Sequence, residues 1–268
     1  HQLPSARLVT SMYAVVTHNG LLISDSYHHS ERLEQTGEFK TRHMQVQSSP
    51  TTNQTVNFAL YQPRRVPQKL KGIAYLPFYY WHHNYHHWLL ECLPLLIEYV
   101  THHDPTQVKL LLPQHLSAFQ QSALDLCDIP PAARLPFPDQ GLCLETLYVP
   151  DLGKFSALQL QCTREYLLNK LGLNPQPMRK LYVSRQHATG RRVCNEAELL
   201  PLLHAEGFEI LHLEHLSFTE QIRAFSEAAV IMGPHGAGLT NLLFATKQAR
   251  VIELLPDDSI NHCFWMMA

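Results

Sequence analysis

The stretch WHHNYHHWLLECLPLL, Trp81 to Leu96, gathers four histidines, aromatic residues and one glutamate before running into plain leucine. On a helix, His83 and His87 stand one turn apart, and His87 and Glu91 share a face at i, i+4. An imidazole with a carboxylate one turn away suits a general base and its orienting partner. A zinc reading needs a third ligand and usually an HExxH-like arrangement, whereas here Asn, Tyr and His intervene. A third reading leaves the histidines packed or solvated. His82, His86, His102 and His103 are expected at the surface, and the stretch alone does not choose among the three.

A second stretch, GPHGAGLTN from Gly233 to Asn241, follows an apolar run and opens a helix. In that setting backbone N–H groups and the positive end of a helix meet an anion. Gly236, Ala237 and Gly238 would bring backbone close to a phosphate, and Thr240 and Asn241 would add side-chain hydrogen bonds. The competing reading is a tight turn that needs glycine for positive φ. Neither GxGxxG nor a P-loop is present to decide between them.

Arg185 closes the run KLYVSR, at the strand end where open α/β sheets place ligands. Arg191 and Arg192 follow in a polar loop. A guanidinium fork suits phosphate, although Arg191 reads better as solvated charge. Glu253 sits inside the apolar run VIELLP, either touching a ligand hydroxyl such as a ribose or paired at the sheet edge.

The elements that must position these groups follow from periodicity. The segment from Arg7 to Gln62 alternates short β-like pieces with polar turns: RLVTSMYAVV, GLLISDSY, HMQVQSS and VNFALYQ, with SSPTTNQT as a loop. From Leu70 onward, strands alternate with helices: KGIAYLPFYY, the helix Tyr85 to Val100, VKLLLP, LSAFQQSALDLC, ETLYVP and ALQLQCTREYLLNKLGL. That order implies βαβ units and a parallel sheet. NPQP, Asn174 to Pro177, stops both helix and strand, which divides the chain into residues 1–174 and 175–268. The second part reads as a Rossmann-like half, with Gly207 closing one helix and Ser217 with Glu220 forming a capping box at the next.

Composition narrows the function classes. The 268 residues are 45% hydrophobic and 16% charged, which is globular. With 21 Lys+Arg against 23 Asp+Glu, nothing draws the chain to nucleic acid or to anionic lipid. No apolar run reaches the roughly 18 residues of a membrane span, so a soluble chain with at most peripheral membrane association is expected. The six cysteines are scattered without a CxxC pair, which points to reduced, mostly buried thiols and a cytoplasmic setting.

Taken together, NYHHWLLECLPLL, LYVSRQHATGRRVCNEAEL, GFEILHLEHLSFTEQIRAFSEAAVIMGPHGAGLTNLLF and ARVIELLP resemble glycosyltransferase family 61 from about Tyr75 onward. The family includes plant N-glycan β-1,2-xylosyltransferases and animal protein O-linked N-acetylglucosamine transferases, and many bacterial members are assigned to capsular or exopolysaccharide biosynthesis. The resemblance implies an α/β fold of GT-B-like architecture: two Rossmann-like domains facing a cleft, here with a β-rich N-terminal segment. It implies an inverting transferase moving a sugar from a nucleotide-diphosphate donor, a UDP-sugar first, to a glycan acceptor, with no cofactor and no required metal.

By motif position, His87 is the pattern histidine and Glu91 the pattern acid. Asn84, Tyr85 and Trp88 fall on the acceptor side, His235 lines the diphosphate pocket, and Glu253 contacts the ribose. Arg185 and the GPHGAG turn, rather than a DxD motif, would hold the departing diphosphate. Two readings of other classes stand beside this one: a sugar-nucleotide-binding partner without transfer activity in a polysaccharide assembly complex, and a metal-dependent hydrolase built on the histidine cluster.

Overall fold

The computed structural model describes residues 2–9, 14–16, 44–47, 57–60, 68–78, 80–138, 141–150, 156–257, 261–265 and 267. The expected strand GLLISDSY and the loop SSPTTNQT lie outside them. The chain divides into two compact units that are not consecutive halves. The first takes 1–82, 98–116 and 129–155; the second takes 83–97, 117–128 and 156–268.

The first unit is a mixed sheet. Its strands are β1 (Gln2–Pro4), β2 (Arg7–Val9), β3 (Ala14–Val16), then β6 (Gln68–Tyr75), β7 (Val108–Leu112), β8 (Arg134–Pro136) and β9 (Leu142–Tyr148), while β4 (Met44–Gln47) and β5 (Asn57–Leu60) pair apart as a two-stranded antiparallel sheet. Strand order is β3-β2-β9-β6-β7-β8, with β1 also on β9. The pairs β9-β6, β6-β7 and β7-β8 are parallel, as the alternation of strands and helices predicts. The N-terminal strands β1 and β2 add antiparallel to β9. Ala74, Leu76, Leu111, Leu144 and Leu147 form the core beneath this sheet, each nearly or fully buried.

Three histidines expected at the surface are not there. In this unit His82 is buried with its ring edge-on to Phe78, and His103 is half-buried among Tyr75, Tyr99 and Tyr148. The third, His86, belongs to the second unit. Aromatic neighbours give these rings apolar contact that a polar-residue pattern does not announce. His102 is exposed, as expected.

The second unit carries a four-stranded, wholly parallel sheet. Its strands are β10 (Arg179–Val183), β11 (Phe208–Leu211), β12 (Ala228–Pro234) and β13 (Arg250–Leu254), in the order β11-β10-β12-β13. The helices are α1, a continuous run of Tyr85–His87, a π-type turn Trp88–Cys92 and Leu93–His102 that crosses from this unit into the first, then α2 (Ala118–Leu126), α3 (Ala157–Lys170), α4 (Glu196–Ala205) and α5 (Phe218–Ser226). Three of these helices, α2, α3 and α5, open on a serine capping box, while Asn195 before α4 makes no side-chain capping bond. Ser156 caps α3 with Gln159, and Ser217 caps α5 with Glu220 in the predicted box, a device worth about 1 kcal/mol. Gly172 and Gly207, both at positive φ, end α3 and α4.

After β12 the chain forms a 3₁₀ helix, Ala237–Phe244, in place of the expected α-helix. Leu181, Ile222, Phe225, Ile231 and Phe244 fill this core, each worth about 1.5–3 kcal/mol of burial. All six cysteines are free; only Cys92 and Cys127 are buried, while Cys162 and Cys194 are exposed, so the expectation of mostly buried thiols is corrected. Among the described residues no helix is long and apolar enough to cross a membrane.

Candidate active site

Three of the four strands in the second unit's sheet lead into loops that meet. Val183 leads to Ser184 and Arg185, β11 leads to Leu213 and Glu214, and β12 leads through Pro234 to the glycine turn. Together with His187 they line a cleft of about 250 Å³ at the carboxyl ends of parallel strands, where doubly wound sheets bind ligands. Arg192 lies elsewhere, on a neighbouring hollow with Gln186, Thr189 and Glu196.

Arg185 is the cation of that cleft. Its Nη2 donates to the carbonyl of Gly190 at 3.1 Å, and its Nε is buried without a hydrogen-bond partner. Burial lowers its pKa, helped by the like charge of Arg191 and opposed by Glu214. Gly236 explains how the guanidinium fits. Its φ of 168° is extended backbone that any residue adopts, so positive φ is not what glycine supplies. A Cβ there would lie 2.7 Å from Arg185 Cζ. At Gly238 a Cβ would meet Leu213 Cδ1 at 2.8 Å, so the end of the leucine side chain would have to move. Both glycines keep the turn against its neighbours.

The first turn of α1 docks on this same loop. Asn84 caps the helix, its Oδ1 accepting from the His86 amide at 2.9 Å. The Tyr85 hydroxyl donates to Asn241 Oδ1 at 2.7 Å; Asn241 Nδ2 donates to Gln221 Oε1 and to the Gly238 carbonyl, both at 3.0 Å. Gln221 Nε2 reaches the carbonyls of Leu213 and Leu216. Every amide proton has a destination in this closed network. Burial raises the Tyr85 pKa, so the hydroxyl stays protonated.

His86 Nδ1 lies 3.0 Å from Thr240 Oγ1, and its ring stands edge-on to Phe264, 5.6 Å between centroids. Burial lowers its pKa, with His235 adding to the effect. His86 is therefore a neutral imidazole held in place, not a surface residue. His235 shares Phe264, 5.0 Å away, and its Nδ1 lies 2.6 Å from Glu253 Oε1. The register that sets Gly233 opposite Glu253 brings this pair together, leaving Nε2 as the free ring nitrogen.

His87 and Glu91 form the expected dyad, with Nδ1 to Oε1 at 3.0 Å and only 28% and 11% of the side chains exposed. Glu91 sits in the π-type turn, a geometry frequent at functional positions. Its Oε2 is buried without a partner, and desolvation pushes its pKa up to about 8. The rings of His86 and His87 are 5.4 Å apart.

The structure thus brings together His87, Glu91, Tyr85, Thr240, Asn241, His235 and Glu253 in one unit, and adds His86, Gln221 and Phe264, which sequence reasoning missed. Three roles change. Thr240 and Asn241, expected to bond a phosphate, are fully buried and bind α1 instead. Trp88, expected to meet the acceptor, is fully buried against Phe119, because it lies on the helix face turned to the core.

A family model described as Glycosyltransferase 61 matches residues 85–252, well over half of the chain. The chain is 36% identical over 97 residues to an EGF domain-specific O-linked N-acetylglucosamine transferase of Drosophila melanogaster, covering 34% of this chain and 18% of that protein. It is 44% identical over 77 residues to a beta-1,2-xylosyltransferase of Arabidopsis thaliana, covering 24% and 14%. It is 34% identical over 98 residues to a protein O-linked-mannose beta-1,4-N-acetylglucosaminyltransferase 2 of Xenopus laevis, covering 34% and 17%. The matched stretches span less than a fifth of each of these relatives.

Proposed function

The chain belongs to the glycosyltransferase 61 family, and from that membership and the site geometry we propose that it transfers a sugar from a nucleotide-diphosphate donor to a glycan acceptor, with inversion at the anomeric carbon and no required metal. The observation that carries this reading is Arg185, whose half-buried guanidinium lies against Gly236 with Nε unpaired in a cleft at the carboxyl end of a parallel sheet. A fixed cation of this kind favours an anion whose charge grows during reaction, as on a departing diphosphate.

In the proposed reaction His87 Nε2 takes the proton of an acceptor hydroxyl, whose oxygen attacks C1 of the donor sugar. The bond from C1 to the diphosphate oxygen breaks with its electron pair, and that charge meets Arg185. Glu91 holds Nδ1 and sets which ring nitrogen carries the lone pair. Glu253 holds His235 in the same way and leaves its Nε2 for the donor; the ribose is a second destination for the carboxylate. Trp88 and the Tyr85–Asn241 bond act as positioning groups that fix the start of α1.

Relatives named as xylosyl-, N-acetylglucosaminyl- and arabinosyltransferases support a pentose or N-acetylglucosamine as the sugar, with UDP the nucleotide we favour. The GT-B-like arrangement, a polysaccharide acceptor and a cytoplasmic setting belong to the same reading. It is tested by thermal shift with UDP, GDP and CMP in EDTA. Stabilisation of the wild type by one nucleoside diphosphate, lost in Arg185→Ala, supports it; no stabilisation by any of them refutes it.

A further inference from the structure

One cluster of side chains takes no part in this scheme. His187 follows β10, and His212, Glu214 and His215 follow β11, so two adjacent parallel strands deliver three imidazoles and a carboxylate to one sheet edge. One ligating atom each from His187, His212 and Glu214 lie within 4.8 Å of one another. The His187 and His212 rings are 5.2 Å apart, and His215 is 5.8 Å from both. Nδ1 of His212 is buried without a hydrogen-bond partner, an arrangement that costs free energy unless something accepts its lone pair or proton. Glu214 is exposed, and so is His187, so an ion has access.

Two imidazoles and a carboxylate form a ligand set that suits zinc and its first-row neighbours. Three protein ligands also leave a coordination position open for an outside oxygen. Position relative to the cleft gives the set its meaning. His187 and Glu214 line the same cleft as Arg185 and Gly236. Glu214 is close enough to Arg185 for its charge to oppose the lowering of the guanidinium pKa. A bare carboxylate there would repel a diphosphate, while a carboxylate holding a dication would attract one.

We propose that His187, His212 and Glu214 bind a first-row transition-metal dication, with zinc as the reference ion, and that the bound ion strengthens binding of a nucleoside diphosphate in the adjoining cleft. The ion site stands on its own geometry; its effect on the donor rests on the function proposed above. The ion adds to Arg185 and is not needed for transfer.

The test uses the full chain stripped with EDTA and titrated with zinc chloride by calorimetry, with cobalt(II) visible absorption as a second readout. One saturable ion per chain is expected, lost in His212→Ala and in Glu214→Gln and kept in His83→Ala. Glu214 is exposed, so its isosteric variant keeps the test open even where His212→Ala does not fold. Zinc is expected to tighten UDP binding about tenfold in the wild type, in the range of ordinary site–site coupling, and not at all in His212→Ala. No saturable phase, or one that both variants keep, overturns the ion site. A phase lost in both variants with UDP affinity unchanged by zinc upholds the site and overturns the coupling. UDP that binds neither with nor without zinc counts against the donor cleft itself, and the zinc titration still decides the ion site.

Discussion

His87 Nδ1 and Glu91 Oε1 stand 3.0 Å apart across one turn of α1, and a single proton has to be shared between them. Below about pH 8 the carboxyl keeps that proton, donates to Nδ1 and leaves the other on Nε2, where the ring cannot act as a base. Above it the carboxylate takes an Nδ1–H and frees the Nε2 lone pair. The proposed transfer should therefore show kcat/KM rising through pH 8. Glu91→Gln should abolish that limb, and His87→Ala should lower kcat by about 10²–10⁴-fold. A flat profile in the wild type, or full turnover in His87→Ala, removes the dyad from the mechanism.

The same carboxyl should make the fold lose stability as pH rises. Its folded pKa lies above the ordinary 4.5, so the folded state binds this proton more tightly than the unfolded chain. The contribution is fully present below pH 4.5 and is lost by about pH 8. Urea midpoints of wild type and Glu91→Gln compared at pH 5 and pH 9 measure it. The wild type should lose more than the variant over that interval.

Gly236→Ala separates sterics from backbone conformation. Alanine tolerates the extended backbone, but its Cβ would overlap the Arg185 guanidinium. We expect nucleoside-diphosphate affinity to fall by roughly tenfold or more, the worth of a charge-assisted hydrogen bond, with little change in melting temperature. Calorimetry with UDP decides it: unchanged affinity would mean that Arg185 does not depend on the glycine.

Tyr85→Phe and Asn241→Ala test the network beneath the site. Removing the hydroxyl leaves Asn241 Oδ1 without its donor, at a cost of about 1–3 kcal/mol. Asn241→Ala should cost more, because the Tyr85 hydroxyl then keeps only its longer 3.2 Å bond to Gln221 Oε1, and both bonds from Asn241 Nδ2, to Gln221 Oε1 and to the Gly238 carbonyl, are lost. The double variant should lose less than the sum of the two, since both delete one shared bond. Additive losses would show that the two residues act independently.

Much of this fold is legible in the chain itself. The apolar run KLYVSR announces a buried parallel strand, ARVIELLP announces a parallel strand that proves half-exposed at the sheet edge rather than buried, and the Ser217–Glu220 box marks the start of α5. The i, i+4 spacing of His87 and Glu91 is local, so their contact could be read directly. His86 could not be read, because its partner Thr240 lies 154 residues away and nothing in the spacing points to it. Phe264, between His86 and His235, sits in a tail without periodicity. At Gly236 the spacing shows a glycine, but the guanidinium that lies against its backbone belongs to tertiary packing. Burial of Thr240, Asn241 and Trp88 escaped notice because polar and amphipathic residues read equally well as surface contacts and as satisfied core groups.

The bond from Tyr85 to Asn241 closes a loop of 156 residues. During synthesis the start of α1 must therefore leave the ribosome long before its partner exists, and such distant contacts form late. Until residue 241 emerges, His86, His87 and Glu91 lack the surface that holds their helix. The nascent chain would carry these histidines unanchored until residue 241 has emerged, and only then could the proposed site assemble.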